Sequence, residues 1–133
     1  MAYWLLKSEP DSYGWADLQR DGATEWDGVR NPAARLHLKA MAVGDEALLY
    51  HSGKDKAAVA VLRITRAWRP DGADGAWASV AVAPERALAQ PVTLAAIKAE
   101  PRLAGLEMLR QSRLSVSPVA PAEWAVLLAM GAG

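Results

Sequence analysis

The chain predicts an α+β fold: a mixed, mostly antiparallel sheet curled into a small barrel, with short helices packed at its ends. Three observations predict it. Strand-like segments recur along the whole length, with β-branched and apolar residues in alternation or in short clusters. The helical stretches between them are brief and punctuated by proline or glycine. Strands so spaced do not make a doubly wound parallel sheet, which needs a regular crossover helix after each strand.

Taken in order, Tyr3 to Ser8 reads as the first strand, ending at Glu9-Pro10. Ser12 is placed to cap a short helix whose inward side is Trp15 and Leu18, and Gly22 stops it. Trp26 to Arg30 reads as a loop. Asn31 then caps a second helix that starts at Pro32 and runs to about Met41, since proline is pre-set for the first helical position. Val43-Gly44-Asp45 turns into a strand from Glu46 to Ser52, and Ser52-Gly53-Lys54-Asp55 makes a hairpin connection. Ala57 to Trp68 alternates well enough for a long strand. Pro70 to Gly75 is a turn cluster before another strand, Trp77 to Val82. A short helix from Leu94 to Glu100 follows Thr93, closed by Pro101, with a second helical piece from Leu106 to Leu109. Arg113 to Val119 is the last strand, and Pro121 to Met130 an amphipathic helix presenting Trp124, Leu127 and Leu128.

At 133 residues, about half of them apolar, the chain is expected to be one domain, residues 1–133, with a core of its own. It has no cysteine, which excludes disulfides, thiolate metal sites and cysteine nucleophiles. The N-terminus runs directly into Tyr3-Trp4-Leu5-Leu6-Lys7 without a basic leader, and no apolar run is long enough to span a membrane. The expectation is a cytoplasmic monomer with no membrane partner and no cofactor. Abundant Ala and Arg without any Phe point to a GC-rich bacterial source.

Formal net charge is zero, which argues against a long, non-specific nucleic-acid tract. The charge is unevenly spread, however. Residues 28–69 hold eight Lys and Arg (Arg30, Arg35, Lys39, Lys54, Lys56, Arg63, Arg66, Arg69) against Asp45, Glu46 and Asp55. A compact basic surface suits a short nucleic-acid footprint, although the same charges also suit ordinary solvated faces.

Catalytic patterns are sparse. The histidines are His37 and His51. His51 and Ser52 are adjacent in a strand, so they point to opposite faces and make no dyad. Two distant histidines without cysteine are too few for zinc, and no Walker loop, dinucleotide fingerprint or nucleophile elbow is present.

Binding parts are richer. Glu25-Trp26-Asp27-Gly28-Val29-Arg30-Asn31-Pro32 puts an aromatic, a glycine, a guanidinium and an amide together on the way into a helix N-terminus. Those are the parts that grip a flat, hydrogen-bonding ligand such as a nucleobase. Of the six tryptophans, Trp4, Trp15, Trp68, Trp77 and Trp124 lie in periodic segments, where core packing explains most of them. Trp26 lies in a charged loop where no periodicity buries it. There it is either a loop anchor or a stacking surface for a base, worth on the order of 1–3 kcal/mol. Three polar clusters fall at strand ends: Lys7-Ser8-Glu9-Pro10, Tyr50-His51-Ser52 and Arg110-Gln111-Ser112-Arg113. With the Trp26 segment they are placed to line one pocket, arginines reaching flanking phosphates.

Tyr3 to Pro10, Trp26 to Asn31, Tyr50-His51-Ser52 and Arg110 to Val116 together resemble the EVE domain family, through essentially the whole chain. That family is similar in fold to PUA domains and related to YTH domains. The resemblance implies a PUA-like pseudo-barrel and a non-catalytic reader of modified nucleobases, 5-methylcytosine-type bases in DNA first, flipped into an aromatic pocket. It implies Trp26 as the aromatic wall, with Lys7, Ser8, Asn31, Tyr50, His51 and Ser52 lining the pocket. Arg30, Arg113, Pro10 and Lys54 would stand at its rim or along the nucleic-acid backbone. One departure stands out: where the family continues with an aromatic and later a second asparagine, this chain has Pro32 and Leu36. That predicts a more open pocket or an altered ligand preference. Two other readings stay open: an RNA-binding adaptor for modified or structured RNA, and an enzyme on a nucleotide or small heterocycle using His51 with Glu9 or Asp27.

Overall fold

A computed structural model describes residues 1–133. The elements follow in the order β1 (Tyr3–Ser8), α1 (Trp15–Asp21), β2 (Thr24–Trp26), α2 (Pro32–Ala40), β3 (Glu46–His51), β4 (Ala57–Asp71), β5 (Trp77–Thr93) and α3 (Leu94–Ala99). After a 3₁₀ turn at Pro101–Leu103 come α4 (Glu107–Arg110), β6 (Val116–Val119) and α5 (Pro121–Met130). All six strands form one sheet in the order β2-β5-β4-β3-β1-β6. Only β1 and β3 run parallel; every other neighbour is antiparallel. This is the mixed, mostly antiparallel α+β fold that the sequence predicts.

The sheet is buried on both faces, and alternation decides which side chain goes where. Trp4 and Leu6 of β1 join Leu49, Leu62, Ile64, Val80 and Val82 on the inner side, with Leu18 of α1 and Leu38 of α2 packed on them. Leu5, Leu48, Tyr50 and Val61 point the other way, under Ile97, Leu103, Met108, Trp124 and Leu127. Helices α3 to α5 therefore cover a face of the sheet rather than only its ends. Repeated register slips between β4 and β5 coil the long hairpin, and the sheet with it.

Several boundaries differ from the sequence reading. The cap of α1 is Gly14, not Ser12. A side chain at position 14 would lie 3.2 Å from Pro10 Cα and 3.3 Å from His51 Nε2, so close approach selects glycine there. Trp26 ends a short strand, not a loop: it pairs with Val80 of β5. Strand β5 runs on past Val82 to Thr93, through two prolines. Pro84 opposes Leu62, while residues 88–91 fall in a slip between the Ala60–Ala87 and Ala58–Val92 pairs, where Pro91 has no rung to supply. The Asn31 cap is as expected, its Oδ1 accepting the Ala34 N–H at 3.0 Å with Pro32 first in α2.

Buried Asp45 ties the start of the chain to the turn before β3. Its carboxylate accepts from the Trp4 indole (3.0 Å), the Ala42 N–H (2.9 Å) and the Ala2 N–H (3.1 Å). Burial works against its ionisation, but these donors hold the carboxyl below its ordinary value. No helix is long and apolar enough to cross a membrane.

Candidate functional site

The two ends of the strand order come together around a cleft of about 400 Å³. One wall is the edge strand β2, with Thr24, Glu25 and Trp26, continued by Asp27, Gly28, Val29 and Arg30. The other is Lys7 and Ser8 at the end of β1, with Ser115 beside them. The Lys7 N–H donates to the Ser115 carbonyl at 2.9 Å, which carries the β1–β6 pairing up to the cleft. Tyr13 closes one side. β2 and β6, the two edges, share no ladder, so the cleft occupies the seam of an unclosed barrel.

Trp26 is only 8% exposed. Strand alternation turns its ring inward and Glu25 outward, so the indole forms an apolar floor rather than a free-standing plate. Ser8 Oγ donates to the Tyr13 carbonyl at 2.7 Å, fixing the loop before α1. Lys7 Nζ donates to the Ser112 carbonyl at 2.9 Å, and burial lowers its pKa. The Trp26-to-Asn31 turn is anchored from across the sheet. Asp71, at the tip of the β4–β5 hairpin, accepts from the Gly28 N–H (3.0 Å) and from Arg30 Nη1 (2.9 Å). Gly28 sits at φ 75°, a conformation glycine adopts freely. Arg30 also lies over the Trp77 ring, 5.7 Å from its centroid.

Glu25 pins β2 to the hairpin. Arg66 grips it with two hydrogen bonds (2.7 and 2.6 Å), Arg69 adds one at 3.2 Å, and Ser79 Oγ donates to it. Led by the Arg66 hydrogen bonds, these contacts hold the carboxyl at about 2, below its ordinary 4.5. A depressed carboxylate pKa adds stability that is complete above pH 4.5 and is lost as pH falls towards 2. Allowing for solvent screening, the loss is on the order of 1–2 kcal/mol. Denaturation midpoints measured from pH 5.5 down to about pH 2.5 should fall, and Glu25→Gln should flatten that fall. An identical pH profile in the variant would show that the Arg66 clamp does not act on folding.

Of the residues singled out in the sequence, Lys7, Ser8, Trp26 and Arg30 come together in this cleft. Tyr50 and Ser52 line a second cleft, which shares Lys7 with the first. Asn31 and Arg113 line a third with Arg110, and Lys54 lies in a fourth. Pro10 packs near Gly14. His51 Nε2 accepts the Trp15 N–H at 3.1 Å, leaving the ring proton on Nδ1, which faces Asp55 at 3.3 Å. His51 thus satisfies an open amide at the start of α1, and its partner is Asp55, not Glu9 or Asp27. No group of three or more His, Asp or Glu is arranged to hold a metal ion. Sequence reasoning missed Tyr13, Thr24, Ser115 and the Asp71 anchor. The polar stretch around Trp26 already contained Glu25, but nothing local marks Asp71.

A mixed, mostly antiparallel six-stranded sheet left open at one seam, with short helices packed on it, is a PUA-like fold. The EVE domain model matches residues 2–130, and the chain belongs to that family. Human thymocyte nuclear protein 1 is 39% identical over 82 residues, a stretch that covers 53% of this chain and 36% of that protein. The chain thus matches about a third of that relative's length. Among solved structures, Rpa0253 from Rhodopseudomonas palustris is 44% identical with a TM-score of 0.93, covering 98% of this chain and 93% of that one. Human THYN1 in complex with 5-methylcytosine-containing DNA is 27% identical, with a TM-score of 0.93, over 100% of this chain and 99% of that one.

Proposed function

We propose that the chain is a non-catalytic nucleic-acid-binding module that reads modified bases of the 5-methylcytosine class in DNA. The observation that carries this reading is the seam cleft, where Trp26, Lys7, Ser8 and Arg30 converge. Its volume falls within the range of pockets that bury a small flat ligand. A flipped base would rest on the Trp26 floor. Lys7, Ser8, Thr24 and Ser115 supply hydrogen-bonding groups for its edge. Arg30, held by Asp71, stands where a flanking phosphate would pass. Human THYN1, bound to 5-methylcytosine-containing DNA in its crystal structure, supports the ligand class. Flipping costs a few kcal/mol, so affinity for an isolated site is modest.

The test is a titration of short duplexes carrying 5-methylcytosine, 5-hydroxymethylcytosine or plain cytosine. The parent protein should prefer a modified base, and Trp26→Leu, checked for folding by its melting curve, should lose most of that preference. Equal affinity for all three duplexes would sink the reader idea. Tighter binding to structured RNA than to any duplex would move the ligand class to RNA.

A further inference from the structure

Beside the seam lies a second cleft of about 470 Å³ whose lining has the chemistry of a phosphate site. Its charged groups are Lys7, Lys56 and Lys98, with no carboxylate among the lining residues. Neither Lys56 nor Lys98 is engaged in any of the molecule's ion pairs. Its apolar lining comes from Leu94, Met108 and Leu109. Tyr50 borders the cleft while only 4% exposed, with Lys7 Nζ 5.7 Å from its ring centroid, and burial raises the pKa of its hydroxyl, which stays protonated and able to donate. Lys56 holds a left-handed backbone, φ 46°, rare for a residue with a side chain. Its carbonyl accepts the Leu94 N–H at 2.8 Å, so the same strained residue positions the start of α3, the helix that carries Lys98.

Lys7 borders both this cleft and the seam. Ser112, whose carbonyl accepts from Lys7 Nζ, is shared with the cleft of Arg110 and Arg113. Cations therefore border three adjoining clefts, the third of which also touches Asn31, in a chain whose formal net charge is zero. We propose that the second cleft is a subsite for the nucleotide next to the read base. Lys56 and Lys98 hold its phosphate, and its sugar and base lie on Leu94, Met108 and Leu109. This rests on the reading of the seam as the base pocket, because the occupant is defined as that base's neighbour.

The test uses short single-stranded DNA with the modified base at the centre and each flanking phosphate replaced in turn by a neutral methylphosphonate. In the parent protein one of the two replacements should weaken binding about tenfold, the size of a charge-assisted hydrogen bond. In a Lys56→Ala, Lys98→Ala double variant, verified by its melting curve, the same replacement should change affinity less than about twofold. The slope of log affinity against log salt should become shallower by about 0.7 for each lysine–phosphate pairing removed. Tyr50→Phe, which keeps the packing, should weaken binding several-fold. A full methylphosphonate penalty in the double variant, or an unchanged salt slope, overturns the subsite. The penalty is measured equally on plain cytosine, so the two ideas fail separately. A flank penalty without base preference refutes the base reading, and base preference without a penalty refutes the subsite.

Discussion

Trp26→Ala should lower the unfolding free energy by about 3–5 kcal/mol, a large share of what a domain of this size has. The indole is 8% exposed and belongs to the same apolar cluster as Leu18, Leu38, Val80 and Val116. That cluster joins α1, α2 and strands from opposite ends of the sheet order. Removing the ring leaves a cavity that rigid strands cannot collapse into, and β2 has only three residues with which to resist fraying. Urea denaturation followed by circular dichroism measures the effect, and a loss under about 1 kcal/mol would show that the ring is not a core element. Weakened binding by this variant would therefore say little about base contacts. Trp26→Leu keeps an apolar floor and removes the aromatic face, which makes it the variant to titrate.

Asp45→Ala should be of comparable size, about 3–4 kcal/mol, through a different cause. It leaves the Trp4 indole N–H and the Ala42 and Ala2 N–H groups without their acceptor, in a place where Asp45 itself is 5% exposed. Asp45→Asn keeps the shape but has one acceptor oxygen instead of two, so about 1–2 kcal/mol is expected. The carboxyl is held below its ordinary value, so its contribution is present at neutral pH and fades on acidification. Thermal melts of parent and both variants at neutral pH rank the three. An alanine variant as stable as the parent would mean that water replaces the carboxylate freely.

Elements with strong local signals are legible in the sequence. β1, α2 with its Asn31 cap, and α5 fall within a residue of their expected bounds, because capping chemistry, N1 prolines and strand alternation are local. Ser12 has the hydroxyl that a cap needs, whereas the cap position is decided by the approach of Pro10 and His51, which no local pattern encodes. β2 is too short to show a period. The prolines of β5 hide its second half, since the slip that accommodates Pro91 exists only once β4 is in place. The site divides the same way. Lys7, Ser8, Trp26 and Arg30 carry chemistry in their own motifs, while Asp71, which holds the Gly28–Arg30 turn, is 43 residues from Gly28 and looks like any acidic turn residue. The sequence groups Tyr50 and Ser52 with Trp26, yet alternation sends Tyr50 to the other face of the sheet, towards the second cleft.

The seam has a consequence for how binding and folding are coupled. A rung between Thr24–Trp26 and the β6 edge would close the barrel and erase the cleft, so the space persists only while those edge amides go unmatched. An occupant touching both walls would take the place of the absent rung and link β2 to the end of β1 and to Ser115, the residue before β6. Its free energy is then distributed over the whole sheet instead of over one loop. Backbone amides at both edges would open more rarely in the complex, together and to the same degree, as parts of one cooperative unit.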